Sequence, residues 1–290
     1  MVARRELEFK GPFLRLGNTF FDRQRITFEI TDARQLDDLD YSTASRIFLK
    51  HRLEEDLGIF GIVPEYLKRN INGIIWHNLI LLYSFSMPHN EIVRLYRFFE
   101  EEVTVHKNQY IAYYMFKLLT ESQIYDCVRM GVDAFSVLAP DINHREIACI
   151  YSMILEDDVG YDKRLSKIIQ AQAKLDKTSF VNFIRDTAVQ KLSEFPRHEH
   201  SAFHNGRPVD ILDVFGKLLN ALAKPSFYEK IYFEKVLIEA FAGVDLSDFY
   251  DKLNLQPQRA AMRLEQAADE ITFDHFQPGK RYFFGRQLPG

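Results

Sequence analysis

Residues 74–85 read IIWHNLILLYSF, the most apolar stretch of the chain, with His77 and Asn78 inside it. The stretch is about twelve residues long, whereas a membrane-spanning helix needs about twenty. It therefore predicts a helix buried in a protein core. Ile75, Leu79, Leu82 and Phe85 recur at three- and four-residue intervals, with Trp76 beside the first. That spacing places them together on one buried face.

Working outward, the same helical period continues in both directions. Upstream, Pro64 fits the first turn of a helix, with Glu65 behind it and apolar residues through Phe85. Before that, Ser42 or Thr43 can cap a helix running to Leu57, which Gly58 stops. Downstream, Pro88 to Glu91 opens a helix carrying Ile92, Val93, Leu95, Tyr96, Phe98 and Phe99. Helical patterning then covers 107–119, 121–138, 144–157, 162–175 and 177–194. It resumes at 209–223, 226–242, 245–253 and 257–270. Pro140, Pro208, Pro225 and Pro257 fall between these segments, where helix breakers belong. The fold class expected is all-α, a helical bundle or irregular helical array over 41–276, with a subdivision allowed near 195–208. No internal repeat survives comparison residue by residue.

Two appendages flank the array. In residues 1–40, the segments Glu6–Lys10, Phe13–Leu16 and Arg25–Ile30 alternate apolar and polar side chains between Gly11-Pro12 and Gly17-Asn18. This is a strand-and-turn signal, read as a small N-terminal β-ribbon. Residues 277–290, QPGKRYFFGRQLPG, combine basic and aromatic side chains between Gly and Pro. They read as an extended tail that anchors through Arg281, Tyr282, Phe283 and Phe284.

Composition narrows the function classes. Hydrophobic residues make up 47% and charged residues 27% of the chain, which excludes a generally disordered protein. The 25 Phe and 14 Tyr supply enough apolar area for a core without a metal or disulfide staple. A net charge of -4 lacks the basic excess of a dedicated nucleic-acid binder. Cys127 and Cys149 sit in apolar surroundings without CxxC spacing and read as two reduced, buried thiols. The N-terminus, MVARRELEFKG, has no apolar run and so no signal-peptide pattern. Cytoplasm, or an equivalent reducing compartment, is the expected location.

The strongest local feature is Pro196–Asp210, PRHEHSAFHNGRPVD, with His198, His200 and His204 close together between Arg197 and Arg207. Three imidazoles are metal-ligand chemistry, but no Cys or carboxylate is placed to complete a zinc set. The stretch also resembles the signature of HEPN-domain ribonucleases. In that family an Arg, often followed by a polar residue, precedes a His by four to six positions. Here Arg197 is followed by His198, and six residues separate it from His204, which begins His-Asn-Gly. The resemblance covers this loop and its flanking helices. It implies metal-independent RNA cleavage, with Arg197 holding the scissile phosphate and His204, assisted by His198, moving the proton for 2′-hydroxyl attack. Arg46 and His51 repeat the bare spacing without the other features.

Leu155–Arg164, LEDDVGYDKR, resembles the second aspartate-rich motif of squalene and phytoene synthases. The only upstream acidic cluster, at 37–40, lies before the first clear helix, so 155–164 reads as a solvated helix end. Glu102 and His106 are four apart and alone, short of the Glu-x-x-His pairs of di-iron bundles. Glu100 to Glu102 is a solvated run, and Tyr110, Tyr113, Tyr114 and Phe116 are spaced as a core stripe. No phosphate loop, nucleophile elbow or HExxH occurs, and no cofactor or metal is expected. The reading reached by elimination is a non-catalytic protein-interaction subunit of a larger assembly, with protein partners or a second copy and no membrane. The alternative is a HEPN-like endoribonuclease, the one case in which RNA is a partner.

Overall fold

The computed structural model describes residues 33–36, 39–134, 202–204, 207–223, 228–251 and 254–289, with isolated positions between 179 and 193. The proposed β-ribbon segments and the helical stretches at 144–157 and 162–175 lie outside them. The protein is mostly helical. In chain order the α-helices are α1 (Tyr41–Leu53), α2 (Val63–Arg69), α3 (Gly73–Ser86), α4 (His89–Thr104), α5 (Gln109–Glu121) and α6 (Tyr125–Asp133). Then follow α7 (Ile211–Leu222), α8 (Tyr228–Ala242) and α9 (Pro257–Glu270). Three antiparallel hairpins of two-residue strands punctuate them: β1 (Phe203–His204) with β2 (Arg207–Pro208), β3 (Tyr250–Asp251) with β4 (Asn254–Leu255), and β5 (Tyr282–Phe283) with β6 (Arg286–Gln287). The described residues form two compact units. One draws on Met1–Leu82, Ile211–Gln277 and Tyr282–Gln287, the other on Tyr83–Asp210, Pro278–Arg281 and Leu288–Gly290.

In the first unit, α1 is capped by Asp40, two residues before Ser42 and three before Thr43. Asp40 accepts hydrogen bonds from the Thr43 amide at 3.0 Å and hydroxyl at 2.6 Å. The helix also stops at Leu53, short of Leu57. Glu55 turns left-handed, φ 62°, and the Asp56 carboxylate accepts from the Gly58 amide while meeting His51 Nδ1 at 2.9 Å. These local bonds compete with a further helical turn.

The apolar run from Pro64 to Phe85 is broken by Asn70 and Asn72. Asn70 Nδ2 donates to Tyr66 O, and Asn72 Oδ1 accepts the Ile74 amide, so one asparagine closes α2 and the other opens α3. The Trp76 indole spans the break by donating to Leu67 O and Asn70 O. From Ile75 to Pro88 every residue is buried, so α3 is buried on all faces and not only on the Ile75–Leu79–Leu82–Phe85 stripe.

The stretch 245–253 is not an α-helix. Asp245 accepts from the Ser247 amide at 2.8 Å, a short 3₁₀ turn follows over Ser247–Phe249, and β3–β4 reverses the chain. The end of α8 is sealed by the β5–β6 hairpin, where Phe284 and Gly285 amides donate to Ala240 O and Phe241 O. Gly243, φ +72°, is required there, because a Cβ would sit 2.9 Å from the Phe284 ring. Arg52 lies over the Phe283 ring at 5.2 Å. The tail is thus a hairpin with Tyr282 and Phe283 buried and Arg286 and Gln287 exposed, rather than a plain extension.

In the second unit, α4 buries Ile92, Leu95, Tyr96, Phe99 and Val103 along one stripe. Asn108 caps α5 by accepting from the Ile111 amide. Between α5 and α6 the chain turns at Gln123, φ 59°. Gly131 then lets α6 approach closely: a Cβ there would lie 3.0 Å from Thr120 Cγ2. Arg281, 4% exposed, donates to Met87 O and Ser84 O, each at 2.7 Å. Its guanidinium thereby satisfies carbonyls at the end of α3 that the helix itself leaves bare.

Candidate functional site

Arg197, His198 and His200 lie outside the described residues. Of the three residues assigned catalytic roles by resemblance, only His204 has a described backbone, on β1 opposite Arg207. That strand is stitched down on both sides. The Phe203 amide donates to Gln123 O at 2.5 Å, Ala202 bridges Ile124, and the Ala202 amide donates to Gly279 O at 2.7 Å. The Phe203 ring meets Tyr125 edge-on at 5.3 Å, and Tyr125 donates to Leu192 O. Residues 155–164 and Cys149 are likewise outside the described residues.

The remaining histidines divide by environment. His51 is buried against Asp56, His77 is buried in α3, and His106 is exposed, 4.0 Å from Glu101. Among the described residues no group of three or more His, Cys, Asp or Glu is arranged to hold a metal. Cys127 is free and buried, and burial pushes its thiol up to about 11. It therefore stays protonated, and a thiol that stays protonated is a poor nucleophile.

Sequence reasoning missed two buried ion pairs. On α5, Lys117 Nζ lies 3.1 Å from Glu121 Oε1, both side chains buried, and within 5.7 Å of the Tyr113 ring centre. Tyr110, Tyr113 and Tyr114 continue that seam with ring contacts at 5.0 and 5.2 Å, and Tyr110 and Tyr113 are half-exposed. Burial opposes the charge on Lys117, yet the Glu121 carboxylate and Tyr113 outweigh it and raise its pKa. Burial also raises Glu121 in spite of Lys117. On α8, in the other unit, Lys235 and Glu239 are fully buried 2.5 Å apart, and Glu239 also accepts the Leu246 amide. Burial again raises the carboxyl.

In both pairs the second carboxylate oxygen has no hydrogen-bond partner, and neither does the side-chain amide of the buried, left-handed Gln123. The signal was present as KLLTE at 117–121 and KVLIE at 235–239, two Lys-x₃-Glu steps with apolar residues between the charges. These groups are sealed from solvent. Their geometry fixes helix register and loop position and offers a substrate no approach.

Some apolar side chains of α7 stay accessible. α7 buries Ile211, Val214, Phe215, Leu218 and Leu222 on its inner stripe. At the margin of that stripe Leu212 is 55% and Leu219 40% exposed. They stand seven residues apart, hence on one face, with half-buried Gly216 between them. No described helix is long and apolar enough to cross a membrane. Comparison with protein families, characterised proteins and solved structures finds no match to this chain.

Proposed function

We propose that this chain is a non-catalytic interaction subunit of a larger assembly and that α7 is the element it offers to a protein partner. The observation that carries the reading is the apolar stripe of α7, whose margin its own unit leaves uncovered. A helix that faces solvent keeps one side polar, and a helix apolar all round is buried. The centre of the apolar stripe of α7 is covered by its own unit, while Leu212 and Leu219 at its margin remain exposed. Exposed apolar surface arranged as a stripe, rather than scattered singly, marks association sites.

A photo-reactive residue at position 212, introduced in the native host, tests the proposal. A discrete covalent protein adduct is expected, and Leu219→Glu should abolish it while leaving the helical circular dichroism and melting temperature unchanged. A folded protein that yields no adduct from position 212 or 219 overturns it. The ribonuclease alternative has its own readout. Cleavage of single-stranded RNA that persists in EDTA and is lost in both His204→Ala and Arg197→Ala would replace the interaction reading.

A further inference from the structure

We propose that Tyr113 is a modification site: a nucleophilic tyrosine, with a buried ion pair behind its hydroxyl, that accepts an acyl group from an activated acyl donor. Tyr113, Lys117 and Glu121 follow one another at four-residue steps along α5 and so line one face of the helix. Tyr113 is half-exposed, whereas Lys117 and Glu121 are buried. Lys117 Nζ lies 3.1 Å from Glu121 Oε1 and 5.7 Å from the centre of the Tyr113 ring. It is also hydrogen-bonded to the Tyr113 hydroxyl.

A lysine ammonium carries three donors and no acceptor. Glu121 takes one of them, and a second meets the Tyr113 oxygen. A hydrogen bond from a cation favours the ionised form of the group that accepts it. A tyrosine is a far better nucleophile as phenolate than as phenol. Glu121 acts through Lys117: burial opposes the ammonium charge, and the carboxylate restores it. The neighbouring rings are poorer sites, because the Tyr110 hydroxyl is buried and burial pushes the Tyr114 hydroxyl up to about 12. The transfer itself is an acyl substitution. The Tyr113 proton passes to solvent, and its oxygen forms an ester bond to the acyl carbon. The bond from that carbon to the donor's leaving group breaks, and the electron pair departs with the leaving group.

Limited acetylation of the full chain with N-acetylimidazole, read peptide by peptide in a mass spectrometer, tests the assignment. Tyr41, half-exposed on α1, is the internal standard. Tyr113 should be acetylated about tenfold faster than Tyr41, the gain in phenolate expected from one charge-assisted hydrogen bond. Lys117→Met/Glu121→Leu, an apolar pair that leaves no buried charge, should bring the two rates together while the helical circular dichroism is retained. Lys117→Gln/Glu121→Gln should do the same, and it replaces the first variant if that one fails to fold. A wild-type Tyr113 no faster than Tyr41 overturns the proposal. So does a fast Tyr113 whose rate survives in a folded neutral variant, since exposure would then explain it.

Discussion

Lys117 and Glu121 meet inside the protein, where a lone ion is costly and a pair roughly breaks even. Removing one partner is therefore far worse than removing both. Lys117→Ala should leave Glu121 buried and uncompensated, with a loss of about 3–5 kcal/mol in chemical denaturation. The double variant Lys117→Met/Glu121→Leu should recover most of that loss, since an apolar pair of similar volume needs no solvent. A single variant as stable as the double would mean that the pair is exposed in solution. Gln123 belongs to the same economy of buried polar groups. Its backbone is left-handed and its amide lacks partners, so the turn between α5 and α6 is held by its neighbours, including the Phe203 amide on its carbonyl.

Among the elements, α3 is the one most fully enclosed. Leu79 has no exposed surface and sits on a helix without a solvent face. Leu79→Ala should cost about 2–5 kcal/mol, the usual range for a packed leucine that leaves a cavity. An unchanged melting temperature would place α3 at the periphery. This helix was legible because an apolar run too short for a membrane has only one other destination. α4 was legible because its stripe repeats every three or four residues, and α9 because Pro257 marks its first turn. What periodicity could not show was where side chains outbid the helix. Asn70 and Asn72 split the 64–85 run, Asp56 ended α1 early, and Asp245 turned 245–253 into a 3₁₀ turn and hairpin. Each is a short polar side chain bonded to nearby backbone, a choice that depends on tertiary surroundings as much as on local sequence. Of the candidate surface, the apolar residues of α7 were plain in the sequence. Which part of its apolar stripe would stay exposed was not, because that follows from what packs against it.

For the molecule as a whole, the last residues matter more than their place in the chain suggests. Pro278–Arg281 belong to one unit and Tyr282–Gln287 to the other. Arg281 supplies two 2.7 Å bonds to the carbonyls of Ser84 and Met87, within the unit that both share. Arg281→Ala should lower stability by about 1.5–3 kcal/mol for each lost charged bond that water does not replace, read from the urea midpoint. Truncation before Gln277 should lower it further, since the hairpin over α8 goes as well. A truncated chain with an unchanged midpoint would show that the tail merely lies on the surface. These two bonds also join residues 194 and 197 positions apart. A ribosome adding about 5–20 residues per second needs about 10–40 s to travel from Met87 to Arg281. Throughout that interval the final turn of α3 has been made but its cap has not. The nascent chain must therefore wait with the last turn of its most apolar helix uncapped until Arg281 has been added.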